Sequence, residues 1–192
     1  MLFLLAAGIL VLIAWLIGWW ILAVGVFLLM FFAPFIDTPG GYRSGKLEYY
    51  GPLLIGEKER RGKIVLHGGT LFDYMFTLDG LKPGRERKSA VLRELGYGLE
   101  SLAHSDLDDS VVLEGTSYFP GERSLGRYGF RTEPISFFRF AILVFNYPLL
   151  FLSKRYVTGR WEFLSLRNVR TFRGTVGSLR RSLKKKQSGQ PS

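Results

Sequence analysis

Two histidines, sixteen acids and no cysteine bound the chemistry open to this chain of 192 residues. His67 opens the run His67-Gly68-Gly69-Thr70 directly after the apolar stretch Ile64-Val65-Leu66. A His-Gly-Gly segment leaving a strand can turn backbone N–H groups toward a developing oxyanion, the chemistry of acyl transfer. A serine nucleophile would also need a Gly-x-Ser-x-Gly elbow and a histidine downstream. Gly115-Thr116-Ser117-Tyr118-Phe119 lacks the closing glycine, and no histidine follows His104. The structural alternative is simpler: Gly68-Gly69 forms a two-residue hairpin turn that tolerates positive φ. No grouping of residues suggests a metal site.

The same residues resemble a second pattern. Glu114-Gly115-Thr116-Ser117 is similar to the Glu-Gly-Thr phosphate-binding motif of lysophospholipid acyltransferases, membrane-anchored enzymes that pair it with His-x4-Asp. Here His67 and Asp73 are separated by five residues rather than four. On an extended strand their side chains would lie on one face, some 20 Å apart at about 3.3 Å per residue, unless a turn brings them closer. What this resemblance implies is catalysis through His67, Asp73 and Glu114 on an acyl-CoA.

Any such site must be positioned by a chain whose first charged residue is Asp37. Residues 1–36 are wholly apolar, Gly or Pro, and as one helix would extend roughly 54 Å, against a hydrocarbon core of about 30 Å. They are expected to form a membrane anchor. Trp15, Trp19 and Trp20 cluster around Gly18, and Trp prefers the membrane–water interface. The cluster favours a short helical hairpin (about 2–15 and 20–35) over one long tilted transmembrane helix. The run lacks the basic start and small-x-small site of a cleavable signal peptide. Residues 37–45, with Pro39-Gly40-Gly41, read as a linker.

The net charge of +10 is concentrated. Residues 154–192 hold eleven Lys or Arg and one acid, Glu162, whereas residues 37–153 are balanced. Arg43 and Lys46 just past the apolar segment point to a cytoplasmic domain on an inner, cytoplasmic membrane by the positive-inside tendency. The lack of cysteine agrees with a reducing compartment.

Past the linker, residues 46–134 read as one small mixed α/β domain, so that the fold class is α+β. Residues 46–50, 62–67, Thr70–Leu78, Ser110–Phe119 and Gly129–Pro134 have strand character, the third from its alternating Phe72, Tyr74 and Phe76. Pro83 opens a helix with Val91, Leu95, Leu99 and Leu102 at helical spacing, and Pro120 starts a short helical turn. Residues 135–153 are mostly Phe, Ile, Leu and Val, too few to span a membrane and suited to a core or interfacial helix. Arg139 within them could snorkel to lipid headgroups. In the basic tail, 154–192, Leu166, Val169, Phe172, Val176, Leu179 and Leu183 recur at spacings of three and four. Arg180, Arg181, Lys184, Lys185 and Lys186 lie among the other positions. This basic amphipathic pattern is expected to bind anionic lipids.

The order of elements over residues 70–134 resembles the C-terminal half of a GNAT-type N-acetyltransferase domain: strand, cofactor loop, helix, strand, short helix, and a strand beginning Gly-Phe. Ser124-Leu125-Gly126-Arg127-Tyr128-Gly129-Phe130 looks like the family's Leu-Tyr-x-x-x-Gly-Phe region. Arg85-Glu86-Arg87-Lys88-Ser89-Ala90 keeps the first and last positions of its Arg/Gln-x-x-Gly-x-Gly/Ala loop, with Lys88 where the family has Gly. The usual Tyr general acid is Leu125 here, and Tyr128 is not at the equivalent position. The resemblance implies a GNAT-like fold and, for an enzyme, acetyl-CoA phosphates on Arg85, Arg87 and Lys88.

Three function classes follow. The first is a non-catalytic, membrane-anchored accessory or interaction protein, needing no cofactor and attached to another membrane protein in a complex. The second is a membrane-bound acyl- or acetyltransferase using acyl-CoA or acetyl-CoA. The third, a membrane-tethered nucleic-acid binder, shares the basic signature but has no RNP, zinc or helix-turn-helix pattern and is the least favoured.

Overall fold

The computed structural model of the chain describes residues 9, 12–13, 15–25, 28, 40–117, 121–166 and 169–188. Backbone packing divides the chain into two units, Met1–Asp37 and Thr38–Ser192.

In the first unit, helix α1 (Trp15–Gly25) is apolar, and all of its residues are exposed within the chain. It runs through Gly18 without interruption, with the Trp15 and Trp19 rings edge to face at 5.9 Å. A hairpin broken at residues 15–20 is therefore not formed. Leu, Ile, Val and Trp around a single glycine carry enough helix-forming backbone to continue across it, at a cost of about 1 kcal/mol. No single helix among the described residues is long and apolar enough to cross a membrane. The outer parts of both expected hairpin arms lie largely outside the described residues.

The second unit is built on a six-stranded sheet in the order β1-β2-β3-β4-β6-β5. Its strands are β1 (Leu47–Gly51), β2 (Leu54–Glu57), β3 (Lys63–Gly68), β4 (Val112–Ser117), β5 (Arg131–Pro134) and β6 (Arg170–Thr175). β3 and β4 pair in parallel, and the remaining neighbours are antiparallel. A parallel pair needs a crossover, supplied here by α2 (Leu71–Thr77) and α3 (Arg85–Ala103). The remaining helices are α4 (Glu122–Gly126), α5 (Phe137–Phe145), α6 (Tyr147–Thr158) and α7 (Val176–Gln187).

One core cluster joins Ile64, Leu66 and Leu113 of the sheet to Leu99 and Leu102 of α3 and Leu179 and Leu183 of α7. Phe130 and Phe172 meet edge to face within it at 5.1 Å. A second cluster joins Leu53, Tyr74, Leu78, Val91 and Val157. Val91, Leu99 and Leu102 are buried as their spacing predicts, while Leu95 is half-buried. The helix comes so close to the sheet that a Cβ on Gly98 would stand 2.7 Å from the Leu54 Cβ.

Two expectations are corrected. Thr70–Leu78 is not a strand but helix α2 with its N-cap. Its Thr70 hydroxyl accepts from the Asp73 N–H at 3.4 Å, and the Asp73 carboxylate accepts from the Thr70 N–H at 2.6 Å. This reciprocal cap outweighs the strand preference of alternating aromatics, and Phe72 and Phe76 end as exposed neighbours one turn apart.

The tail is not a separate basic appendage. Arg170–Thr175 is a strand paired on both sides, and only Val176 onward is helical. Thr175 and Ser178 cap α7 reciprocally, and Val176, Leu179 and Leu183 turn into the core. The domain expected over 46–134 thereby extends to α7. The three-and-four spacing identified an amphipathic element but not the strand before it, because Phe172 satisfies both periods.

Candidate functional site

The side of the sheet opposite Leu113 and Phe172 carries the charged residues. Glu114 lies level with Val65 on one side and Arg173 on the other, and is 8% exposed. One carboxylate oxygen meets Lys63 Nζ at 2.5 Å, and the other meets the Arg139 guanidinium of α5. A buried carboxylate needs such partners, and here both of its oxygens are taken. Glu114 therefore joins β3, β4 and α5. To act as a base it would have to release a cation. Arg139, expected to snorkel outward, is drawn inward by this carboxylate.

His67 sits at the end of β3, where Nε2 lies 3.0 Å from Glu57 Oε1 of β2. Both side chains are about half exposed, at 48% and 46%. The parallel register ends at Leu66 beside Gly115; the next residues, His67 and Thr116, stay paired with Ile55 of β2 and Thr171 of β6. The carboxylate that orients the imidazole is Glu57. Asp73 instead spends its carboxylate on Thr70, accepting from both N–H and hydroxyl. The extended-strand separation of His67 and Asp73 does not apply, because a turn and helix α2 follow β3.

Arg85 and Lys88 are exposed in the first turn of α3, which starts at Gly84 with φ +100°. Arg87 is committed elsewhere: it donates to the Leu81 carbonyl at 2.8 Å and the Tyr156 carbonyl at 2.7 Å, with its guanidinium 3.9 Å over the Tyr156 ring. The Gly84 N–H also donates to the Val157 carbonyl. The start of α3 is thus fastened to the end of α6.

Arg180 is likewise internal. Its guanidinium donates to the carbonyls of Ala103, Ser105 and Leu107 and pairs with Asp109 at 2.5 Å. It closes the C-terminal end of α3, where exposed carbonyls favour a cation, and is removed from the expected lipid contacts. Arg181, Lys184, Lys185 and Lys186 are exposed, and Lys186 lies 5.6 Å from the Tyr128 ring centre.

Three site residues escaped the sequence reading: Glu57, Lys63 and Thr171. The first two become visible only once the strands are aligned, since Glu57 reaches His67 across a hairpin. The Thr171 hydroxyl oxygen is buried with no hydrogen-bond partner among the described residues. Among those residues no group of three or more His, Cys, Asp or Glu is arranged to hold a metal ion. Elsewhere, burial and then the neighbouring Glu48 push the Tyr50 hydroxyl up to about 12. Hydrogen bonds from Ser110 hold Asp108 below its usual range.

No family model matches this chain, nor does any curated protein or solved structure.

Proposed function

We propose that this chain is a membrane-anchored accessory or interaction protein, with its α/β domain on the cytoplasmic side of the membrane and attached to a membrane complex. The observation that carries the reading is the absence of any charge across residues 1–36. Thirty-six such residues are unsuited to water and suited to lipid. Arg43 and Lys46 follow immediately and support the cytoplasmic placement. Arg181 and Lys184–Lys186 remain available to anionic lipid or to an acidic face of the partner.

The test is extraction and purification of the full chain from membranes. It should resist alkaline carbonate and, in mild detergent, copurify with another membrane protein in fixed stoichiometry. A reporter fused at Ser192 should be active only in the cytoplasm. Release by carbonate would remove the anchor, a periplasmic or luminal signal the orientation, and a monodisperse single chain the accessory role.

A second reading is a membrane-bound acyl- or acetyltransferase on acyl-CoA or acetyl-CoA. It is favoured by His67 and Thr116 lying just past the last parallel pair of β3 and β4, with Glu57 3.0 Å from the imidazole, and by the GNAT-like order of β3, α3, β4, α4 and β5. Arg85 and Lys88 would meet the CoA phosphates. Thermal stabilisation by either CoA ester, lost in His67→Ala, would favour this reading. Nucleic-acid binding is weakened as a reading because Arg87 and Arg180 are spent on internal carbonyls.

A further inference from the structure

We infer that the outer face of α5, with α2 and the Trp161–Phe163 segment, is a second bilayer-contact surface that lays the α/β domain on the headgroup region. This rests on the membrane reading. Helix α5 has no buried residue, and Phe137 and Phe138 are 88% and 73% exposed. Its only charged residue, Arg139, pairs with Glu114, which leaves the outward face of the helix without charge. Such a face has no charged group to desolvate when it meets lipid.

Helices α5 and α6 together have the length and composition of a membrane span, but they bend by 64° at Asn146. Nine and twelve residues reach only about 14 and 18 Å each, well short of the hydrocarbon thickness. Such a pair fits the plane of the interface rather than a crossing. Helix α6 also carries the other two parts of the surface. The Tyr156 hydroxyl donates to the Met75 carbonyl of α2, and Phe151 packs against Trp161 and Phe163 at 5.6 and 5.5 Å. Phe76, Trp161 and Phe163 are 81%, 68% and 80% exposed.

Cations border these rings. Arg155 lies 4.9 Å from the Trp161 ring centre, and Lys154 donates to the Phe163 carbonyl. Glu162, between the two rings, pairs with Lys154 at 3.5 Å and with the 80% exposed Arg160 at 3.8 Å, so the three cations exceed the one acid by two charges. Aromatic rings beside Lys and Arg fit a membrane interface. A protein interface shares the aromatics and Arg, so what favours the bilayer is the uncharged outward face of α5 and the span-like composition of the bent α5–α6 pair. An anchored domain also meets its own bilayer at high effective concentration. These observations select the bilayer over a protein as the occupant.

The absence of cysteine makes the test clean. Phe138→Cys and, as a control in the exposed β2–β3 loop, Glu59→Cys would each be labelled with an environment-sensitive fluorophore in the otherwise unaltered full chain. The protein would be reconstituted in phosphatidylcholine–phosphatidylglycerol vesicles, with and without brominated acyl chains. Interfacial helices bury their apolar face about 5–10 Å below the headgroups. The label at 138 should therefore shift to the blue and lose at least about half its emission to bromine, while the label at 59 keeps its own.

Trp161, made the sole tryptophan by Trp15→Phe, Trp19→Phe and Trp20→Phe, should be quenched in the same way. A chain that floats with the vesicles while its label at 138 stays in water overturns the second surface and leaves the anchor standing. A label shielded from both water and lipid overturns it in favour of a protein cover. A chain that fails to float overturns both readings.

Discussion

In α7, Val176, Leu179 and Leu183 are buried while Arg181 and Lys184–Lys186 face water; in α5, Phe137, Phe138 and Ile142 face outward while Arg139 is drawn onto Glu114. Helix α7 turns its apolar side to the protein and its charges outward, whereas α5 turns its one charge, Arg139, inward beside the half-buried Phe140 and Leu143 and leaves its other apolar residues outside. The difference comes from what lies at each helix boundary. Thr175 both ends β6 and caps α7, so a strand fixed on two sides delivers the apolar face of α7 onto the core. For α5 the anchoring contact is a charge, because Glu114 presents a buried carboxylate that requires cations. Amphipathicity therefore identifies a sided element; the neighbours it is fastened to decide which side is inside.

The largest effects should come from reversing what α7 buries. Leu179→Ala removes a side chain with no exposure and should cost about 2–5 kcal/mol, measured by denaturant unfolding of the full chain in detergent micelles. Phe138→Ala should change the same stability by less than about 0.5 kcal/mol. Equal costs at the two positions would erase the contrast between the helices.

Next is the charge that holds α5. Glu114→Gln leaves Lys63 and Arg139 without their shared carboxylate and should cost about 3 kcal/mol, the low end for a broken buried pair because both cations retain some solvent. Accompanying Glu114→Gln with Arg139→Met should recover part of the loss, and no recovery would show that α5 is held by other contacts.

Arg180 sharpens the comparison within α7 itself. Arg180→Gln gives up charge-assisted bonds to the α3 terminus and should cost about 1.5–3 kcal/mol. Arg181→Gln on the exposed side should stay within about 0.5 kcal/mol. If both substitutions cost the same, the inward and outward arginines are not different in kind.

The smallest effect is alkaline. Tyr50 has its hydroxyl raised from 10.0 to about 12, so between those values the unfolded chain gives up the proton that the folded chain keeps. Stability from this group is present below pH 10 and lost as the pH rises toward 12. Tyr50→Phe should flatten that decline in a pH series of unfolding midpoints, and an unchanged slope would place its cause elsewhere.

Much of the domain was legible in the sequence. Strands β1 and β3, helix α3 and the short turn of α4 carry clean periodicity or Pro and Gly punctuation. The failures share a physical origin. In α2 a Thr70–Asp73 cap competed with alternating aromatics. In β6 the residues before Val176 fit a helical spacing that only pairing with β4 and β5 overrules. Such pairing joins residues from 36 positions apart (Pro134 and Arg170) to 63 (Val112 and Thr175), and no local pattern contains it. The candidate site was legible as a list of residues rather than as a geometry. His67 and Glu114 are where strand ends and buried carboxylates would be sought. Glu57, Lys63 and Arg139, which determine what those two residues can do, are assembled by strand alignment and by the position of α5. Arg87 and Arg180 read as free cations in sequence because their partners are backbone carbonyls, which every residue has.

The opposed orientation of the two helices is tested most directly by amide hydrogen exchange of the full chain in phosphatidylcholine–phosphatidylglycerol vesicles, compared with the same protein in detergent at low and high salt. Backbone amides of α5 should change their protection between lipid and detergent, while those of α7 should remain protected to the same degree in every condition, as core amides do. Protection of α7 that appears only on anionic lipid and fades with salt, with α5 unchanged, would contradict the account and return the membrane contact to the basic segment.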